Sequence, residues 1–407
     1  MCFWVNGEAM TENLLSVPEF ALYTSSLELK SCIATGFYDV VRAGINARIV
    51  VQKCHFADCG NTGLTAVNPK LVHVAHSSVT KASRGGVIVK WLSNSSERET
   101  TRRVVVEQSE FDANGHNAVE VSSEAFSAHN VAVSVLRNKI VNNKRDGVVV
   151  SNMAIAHCEI ARNTVSSNQG SGIWVSSLHQ KSNKPGFSIA DNSVSYSLAG
   201  FGIYVHDSGF SVSGCEVETS KEEGICVSQQ PRPDHLSSEL LAFLEKFPMR
   251  VTLNACTVKK NVGNGILVQD CWKGPVDIVD CVVRENYDNG VYLSAQGRSQ
   301  LDVKSRKRDV VPAAHLLGVV TLRGGEVANN KKNGVALFKV LCVVEDTEFA
   351  GNEEFALFLP SSESRHFLRL NSQNLKKTVK GDIGGNWGNV YTQYRGLCSP
   401  NPQCALL

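Results

Sequence analysis

Short stretches with an apolar residue at every second position recur along the whole chain; Phe210–Ser213, Val251–Asn254 and Val276–Val279 are three of them. This period puts successive side chains on opposite faces, and the runs are too short for helices, so they predict half-buried β-strands. A second pattern runs in step with the first. Units reading Gly, apolar, any residue, apolar begin at Gly63, Gly86, Gly147, Gly172, Gly202, Gly224, Gly265, Gly290 and Gly334, with Ala118 and Ala356 standing in for Gly twice more. Nine residues upstream, or ten for Asn192, sits a small or polar residue such as Cys54, Ser77, Asn138 or Cys256. An apolar residue follows two positions later, and three beyond that the residue is usually Asn: Asn114, Asn143, Asn168, Asn261, Asn286, Asn330 and Asn352. A constant register with variable returns describes one β-coil repeated about eleven times, each strand stacked on its counterpart in the next coil.

At one fixed turn, an Asn amide can donate to and accept from the Asn above and below, satisfying backbone groups that would otherwise be buried unpaired. At the other turn, Gly is expected to supply a backbone conformation that a Cβ resists. The expected fold is all-β: a single-stranded parallel β-helix with end caps and a short helical insertion. With about 4.8 Å between stacked strands, the coils would form a rod roughly 50 Å long. Residues 1–48 are expected to be an N-terminal cap and partial coil, 49–383 the β-helix and 384–407 a C-terminal tail, because bare solenoid ends polymerise through unpaired strand edges. Two return loops are long, at about 229–250 and 294–318. In the first, Leu240, Leu241, Leu244 and Phe247 follow Pro231 and Pro233 at helical spacing, which predicts a helix over 235–247.

These repeats resemble the right-handed parallel β-helix of the pectin-lyase-like superfamily over residues 49–383, a fold shared by polysaccharide-active enzymes and by non-enzymatic intracellular proteins. Among the latter, Gln230 and Pro231 with the 235–247 segment, and the Val-Lys-Gly-Asp-Ile stretch from Val379 to Ile383, are similar to features of the Shc-binding β-helix proteins. F-box β-helix proteins are similar too, but no F-box pattern precedes residue 49, so their ubiquitin-ligase role is not implied.

Composition narrows the classes. The chain is 43% hydrophobic with a net charge of +2, which excludes a disordered chain and gives no general basis for nucleic-acid binding. The basic cluster at 304–308 (Lys-Ser-Arg-Lys-Arg) reads as a solvated loop. No apolar run approaches the roughly 20 residues of a membrane-spanning helix. The 13 Cys show neither CxxC pairs nor zinc spacing and are expected to be buried small hydrophobes, so no metal and no cofactor is expected. The start of the chain carries no leader pattern, and its end, Cys404-Ala405-Leu406-Leu407, fits a C-a-a-X prenylation signal. Both features point to a cytoplasmic rather than secreted protein held at the cytoplasmic face of a membrane. Cys398 is the candidate for a second lipid, because one chain anchors only marginally.

In each Gly-apolar-x-apolar unit the middle residue faces outward. That row contains Val149, Trp174, Tyr204, Cys226, Leu267 and Tyr292, an apolar run read as a binding surface unless the 235–247 insertion covers it. Chemistry on such a fold needs carboxylates at matching positions on neighbouring coils. The best set is Asp207, Gln229 and Asp270 on three successive coils, with His206 beside the first. Asp207 and Asp270 would stand roughly 9.6 Å apart, near the upper end of the inverting-glycosidase range. The Asn-Thr-Asp, Asp-Asp, Gly-His-Gly and Arg-Ile-Lys motifs of polygalacturonases are absent, and His55, His76, His116 and His157 read as structural. The favoured reading is a non-catalytic scaffold that binds a protein partner. The alternative is a carbohydrate-binding or polysaccharide-degrading protein that uses Trp174, Tyr204, Tyr292 and the Asp207/Asp270 pair.

Overall fold

The computed structural model describes residues 3–5, 26–92, 101–124, 129–180, 187–230, 248–295, 319–338, 340, 342–359, 368–370 and 383–385. The expected 235–247 helix, the 304–308 cluster, residues 379–382, Cys398 and Cys404 lie outside these. Among the described residues every regular element is a β-strand. The chain divides into two units, Met1–Ala199 and Gly200–Leu407, built on the same plan.

Each coil contributes three strands, all pairing in parallel with their counterparts. In the first unit, Val41–Ala43, Leu64–Val67, Val87–Trp91 and Val119–Ser123 stack as first strands, with Val41, Leu64, Val87 and Val119 in register. Arg48–Gln52, Leu71–Ala75 and Arg102–Glu107 stack as second strands. The third strands are three residues long and include His55–Ala57, Ser78–Thr80 and Glu110–Asp112. Coil pairing starts ahead of residue 49: Phe3–Val5 pairs with Val41–Ala43, and Ser26–Lys30 with Arg48–Gln52. In the second unit the first strands are Ile203–His206, Ile225–Ser228, Ile266–Gln269, Val291–Ser294 and Val335–Phe338, again in strict register. Their alternation decides what fills the interior. Ile203, Val205, Ile225, Val227, Ile266 and Val268 are buried, and the residues between them face out. Each buried Val or Ile contributes about 1.5–3 kcal/mol relative to exposure.

The corners explain the recurring polar residues. Single left-handed residues bracket each third strand, for example Arg137 (φ 56) and Asn142 (φ 57), or Ala255 (φ 51) and Lys260 (φ 58). The residue after each corner turns inward, and a side chain on the next coil accepts its N–H. At the first corner of the first unit this column runs Ser77, Ser109, Asn138, Asn163, Asn192: Ser77 N–H donates to Ser109 Oγ (3.1 Å), Ser109 N–H to Asn138 Oδ1 (3.0 Å) and Asn163 N–H to Asn192 Oδ1 (3.0 Å). At the second corner, Asn114, Asn143 and Asn168 bond in series in the first unit. Asn261, Asn286, Asn330 and Asn352 do so in the second, every Nδ2 donating to the next Oδ1 at 2.9 Å. In that unit the first-corner column instead holds Cys215, Cys256 and Cys281, all buried free thiols.

The repeated Gly has a different cause from the one the sequence suggests. Among the described residues the left-handed glycines are Gly36, Gly214, Gly324, Gly325 and Gly351, none of which heads a Gly-apolar-x-apolar unit. What the repeated position requires is close approach. A Cβ on Gly265 would lie 2.4 Å from Val283 Cγ1, 2.6 Å from Asn286 Nδ2 and 2.7 Å from the Gly290 carbonyl oxygen. Ala118, fully buried at the same position, shows that a Cβ fits where the neighbouring layer yields. Gly265→Ala is therefore expected to destabilise by about 1–3 kcal/mol, read as a lowered denaturation midpoint at unchanged slope.

Candidate functional site

The outward residues of the first strands in the second unit form a half-buried aromatic face. Tyr204, Cys226, Leu267, Tyr292 and Ala336 follow one another in register. Cys226 and Ala336 are 2% and 3% exposed, so Tyr204, Leu267 and Tyr292 make the surface, with Phe358 on the coil beyond. Phe201 stacks on Tyr204 with centroids 4.8 Å apart, and Tyr204 stacks on His206 at 5.8 Å, both pairs inclined by 18°. The Ser228 hydroxyl, one coil on, donates to Tyr204 Oη at 3.0 Å and lies 2.9 Å from His206 Nδ1, holding both rings in place. Burial raises the pKa of the Tyr204 hydroxyl, which keeps it a neutral hydrogen-bonding group at neutral pH.

A row of amides not picked out in the sequence edges this face. Asn289 Nδ2 donates to Asn264 Oδ1 and Asn333 Nδ2 to Asn289 Oδ1, both at 2.9 Å, and Asn264 Nδ2 donates to Glu223 at 3.2 Å. The signal was present, since each Asn directly precedes Gly265, Gly290 or Gly334. In the first unit the corresponding outward row passes through Thr65, Ile88, Glu120, Val149 and Trp174, all half-buried.

Asp207, Gln229 and Asp270 occupy one row: their N–H groups donate to Ser228, Gln269 and Ser294 carbonyls at 3.0, 3.1 and 2.9 Å. All three are buried. Asp207 Oδ1 accepts from Lys273 Nζ at 2.7 Å and from the Gln230 N–H at 3.1 Å. Gln229 Oε1 accepts the Lys273 N–H at 2.7 Å, and the Trp272 indole donates to the Gln230 carbonyl at 2.8 Å. The Asp207 carboxylate is thus the hub of a bonded knot, its charge matched by Lys273 and its oxygen taken by two donors. His206 is the member of the set that reaches the aromatic face. Among the described residues no three His, Cys, Asp or Glu side chains are placed to hold a metal ion. Burial pushes the Cys158, Cys271 and Cys342 thiols far up, which leaves them inert.

Residues 20–154, 100–238 and 128–306 match, in overlapping windows, the family described as right handed beta helix region. The chain belongs to this family: it is a right-handed parallel β-helix. Among solved structures it is similar to the periplasmic alginate epimerase AlgG, with TM-score 0.38 and 14% identity over 81% of this chain and 78% of that one. It is also similar to the Azotobacter vinelandii mannuronan C-5 epimerase AlgE4 A-module, with TM-score 0.41 and 11% identity over 84% and 91% of the two chains. Pectate lyase Pel9A gives TM-score 0.41 and 11% identity over 79% and 74%. These likenesses concern the fold alone. No curated protein sequence matches the chain.

Proposed function

We propose that this β-helix protein binds carbohydrate along the first-strand face of its second unit. The observation that carries the reading is the Phe201, Tyr204, His206 ring stack pinned by Ser228, with Leu267 and Tyr292 on the following coils. Sugar rings offer apolar C–H faces that stack on aromatic rings, and hydroxyl edges that pair with amides and hydroxyls. The Asn264, Asn289, Asn333 row supplies such an edge beside the rings. Because the rows cross successive coils, the natural ligand is a linear polysaccharide lying along them.

The protein-scaffold role expected from the sequence would use the same face, but nothing in its ring stack or amide edge favours a protein over a sugar. Affinity electrophoresis in gels containing neutral and uronate polysaccharides tests the reading. Tyr204→Ala and Tyr292→Ala are each expected to weaken retention roughly two- to tenfold, the equivalent of about 0.5–1.5 kcal/mol per stacked ring. A wild-type protein that no polymer retards would overturn it.

A further inference from the structure

The corner column that runs through Ser77 and Ser109 in the first unit continues toward the start of the chain as two thiols. The Cys54 N–H donates to Ser77 Oγ at 3.1 Å, and the Cys32 N–H donates to Cys54 Sγ at 3.5 Å. Each follows a left-handed corner residue, Ser31 (φ 54) and Lys53 (φ 54). Ile33 pairs in register with His55, and the His55 N–H donates to the Cys32 carbonyl at 2.8 Å, so Cys32 and Cys54 stand over one another on adjacent coils. Both side chains make the same local bond: Cys32 Sγ donates to the Lys30 carbonyl at 3.4 Å and Cys54 Sγ to the Gln52 carbonyl at 3.3 Å. The thiols therefore leave the backbone in one direction, one strand spacing apart. That spacing, about 4.8 Å, falls within the roughly 4.4–6.8 Å between Cα atoms that a disulfide spans.

Capping does not require sulfur. On the coils beyond, Ser77, Ser109 and Asn138 accept the N–H of the coil before them through oxygen, at 3.1, 3.1 and 3.0 Å, and oxygen is the better acceptor. What sets the pair apart is access. Among the described residues Cys32 is the one free cysteine that is not buried. Its strand, Ile33–Thr35, begins its sheet and pairs only with His55–Ala57 among the described residues, so solvent reaches the column from this edge. Cys54 lies behind it at 2% exposure, and burial raises its pKa, which keeps it a neutral thiol. The second unit holds the same stacking without the access. Thr257 pairs in register with Glu216 and with Val282, and the Cys256 thiol is hydrogen-bonded to those of Cys215 and Cys281. All three are buried.

We propose that Cys32 and Cys54 are a modification site, a thiol pair that hydrogen peroxide oxidises to a disulfide joining adjacent coils. Cys32, as the accessible thiolate, attacks one peroxide oxygen; the O–O bond breaks, water leaves, and Cys32 becomes a sulfenic acid. The Cys54 sulfur then bonds to the Cys32 sulfur as the S–O bond breaks, and the thiol proton of Cys54 leaves with the hydroxide as a second water. Two thiols have given up two electrons to one peroxide, and the products are one disulfide and two waters. A dithiol reductant reverses the step by thiol–disulfide exchange. The bond ties the edge coil to its neighbour across 22 positions and restricts that loop when the coil opens.

The assignment is independent of the carbohydrate reading. The test treats the reduced full chain with hydrogen peroxide, unfolds it, blocks the remaining thiols with iodoacetamide and maps the peptides by mass spectrometry. A linked Cys32–Cys54 peptide that dithiothreitol abolishes is expected, with Cys215, Cys256 and Cys281 recovered as free thiols from the same sample. Cys54→Ser keeps an acceptor for the Cys32 N–H, as Ser77 does for Cys54, so the coil should still form. In that variant the link is lost, and Cys32 should instead be trapped as its sulfenic acid by dimedone, several-fold more than in the wild type. Recovery of both Cys32 and Cys54 as free thiols would overturn the proposal. So would Cys32 over-oxidised without a link in the wild type, a link from Cys32 to a different cysteine, or oxidation of the second-unit column at the same peroxide concentration.

Discussion

Asn286→Ala is expected to cost the second unit roughly 3–6 kcal/mol, the largest stability loss among single substitutions in the amide rows. Asn286 is fully buried. Its Oδ1 accepts the N–H of Asn261 at 3.1 Å and the Asn261 Nδ2 at 2.9 Å. Its Nδ2 donates to the Val258 carbonyl at 3.3 Å and to Asn330 Oδ1 at 2.9 Å. Alanine removes both ends of the amide and leaves a backbone N–H, a side-chain amide proton and a carbonyl oxygen unpaired in a dry interior. Each such group costs about 1–3 kcal/mol. Asn352, at the last described rung, is only half-buried, so water can replace part of what it supplies, and Asn352→Ala should cost less. Urea unfolding of the two variants separates them, and equal losses would mean that the ladder is not the source of the effect.

The second large effect is expected at Asp207. Asp207→Ala strands the Lys273 ammonium, whose side chain is 16% exposed, and removes the acceptor of the Gln230 N–H. Breaking a buried pair costs about 3–5 kcal/mol, and the partial exposure of Lys273 lowers the expectation to roughly 2–4 kcal/mol. Asp207→Asn keeps an acceptor for Gln230 and should lose less. Both variants should still bind polymer when folded, because Asp207 is engaged in holding two turns together. Intact stability with abolished retention would return Asp207 to the binding site.

Some of this organisation can be seen in the sequence because the coil is periodic. The spacing from Cys256 through Val258 and Asn261 to Gly265 repeats as Cys281, Val283, Asn286 and Gly290, so each position already states its layer and whether it faces in or out. The reason for a residue type is harder to read. Gly265 looks like a turn former, yet what excludes a Cβ is Val283, Asn286 and Gly290 on the next coil. Asp207 and Asp270 look like a catalytic pair, yet Lys273, 66 positions after Asp207, engages the first in an ion pair. Asp146 attracts no notice in the chain, because its character comes from burial and from Asn117, Arg145 and Ser171 around it.

By itself, the sequence determined the winding: an alternation of period two and a nearly constant interval admit one way of stacking strands, and hydrophobic burial enforces it at every coil. Only the tertiary structure decided which polar groups are used up and which are poised. Return loops of unequal length bring side chains from distant positions to the same corner, and the charge state of a carboxyl depends on the donors and on the dryness it meets there.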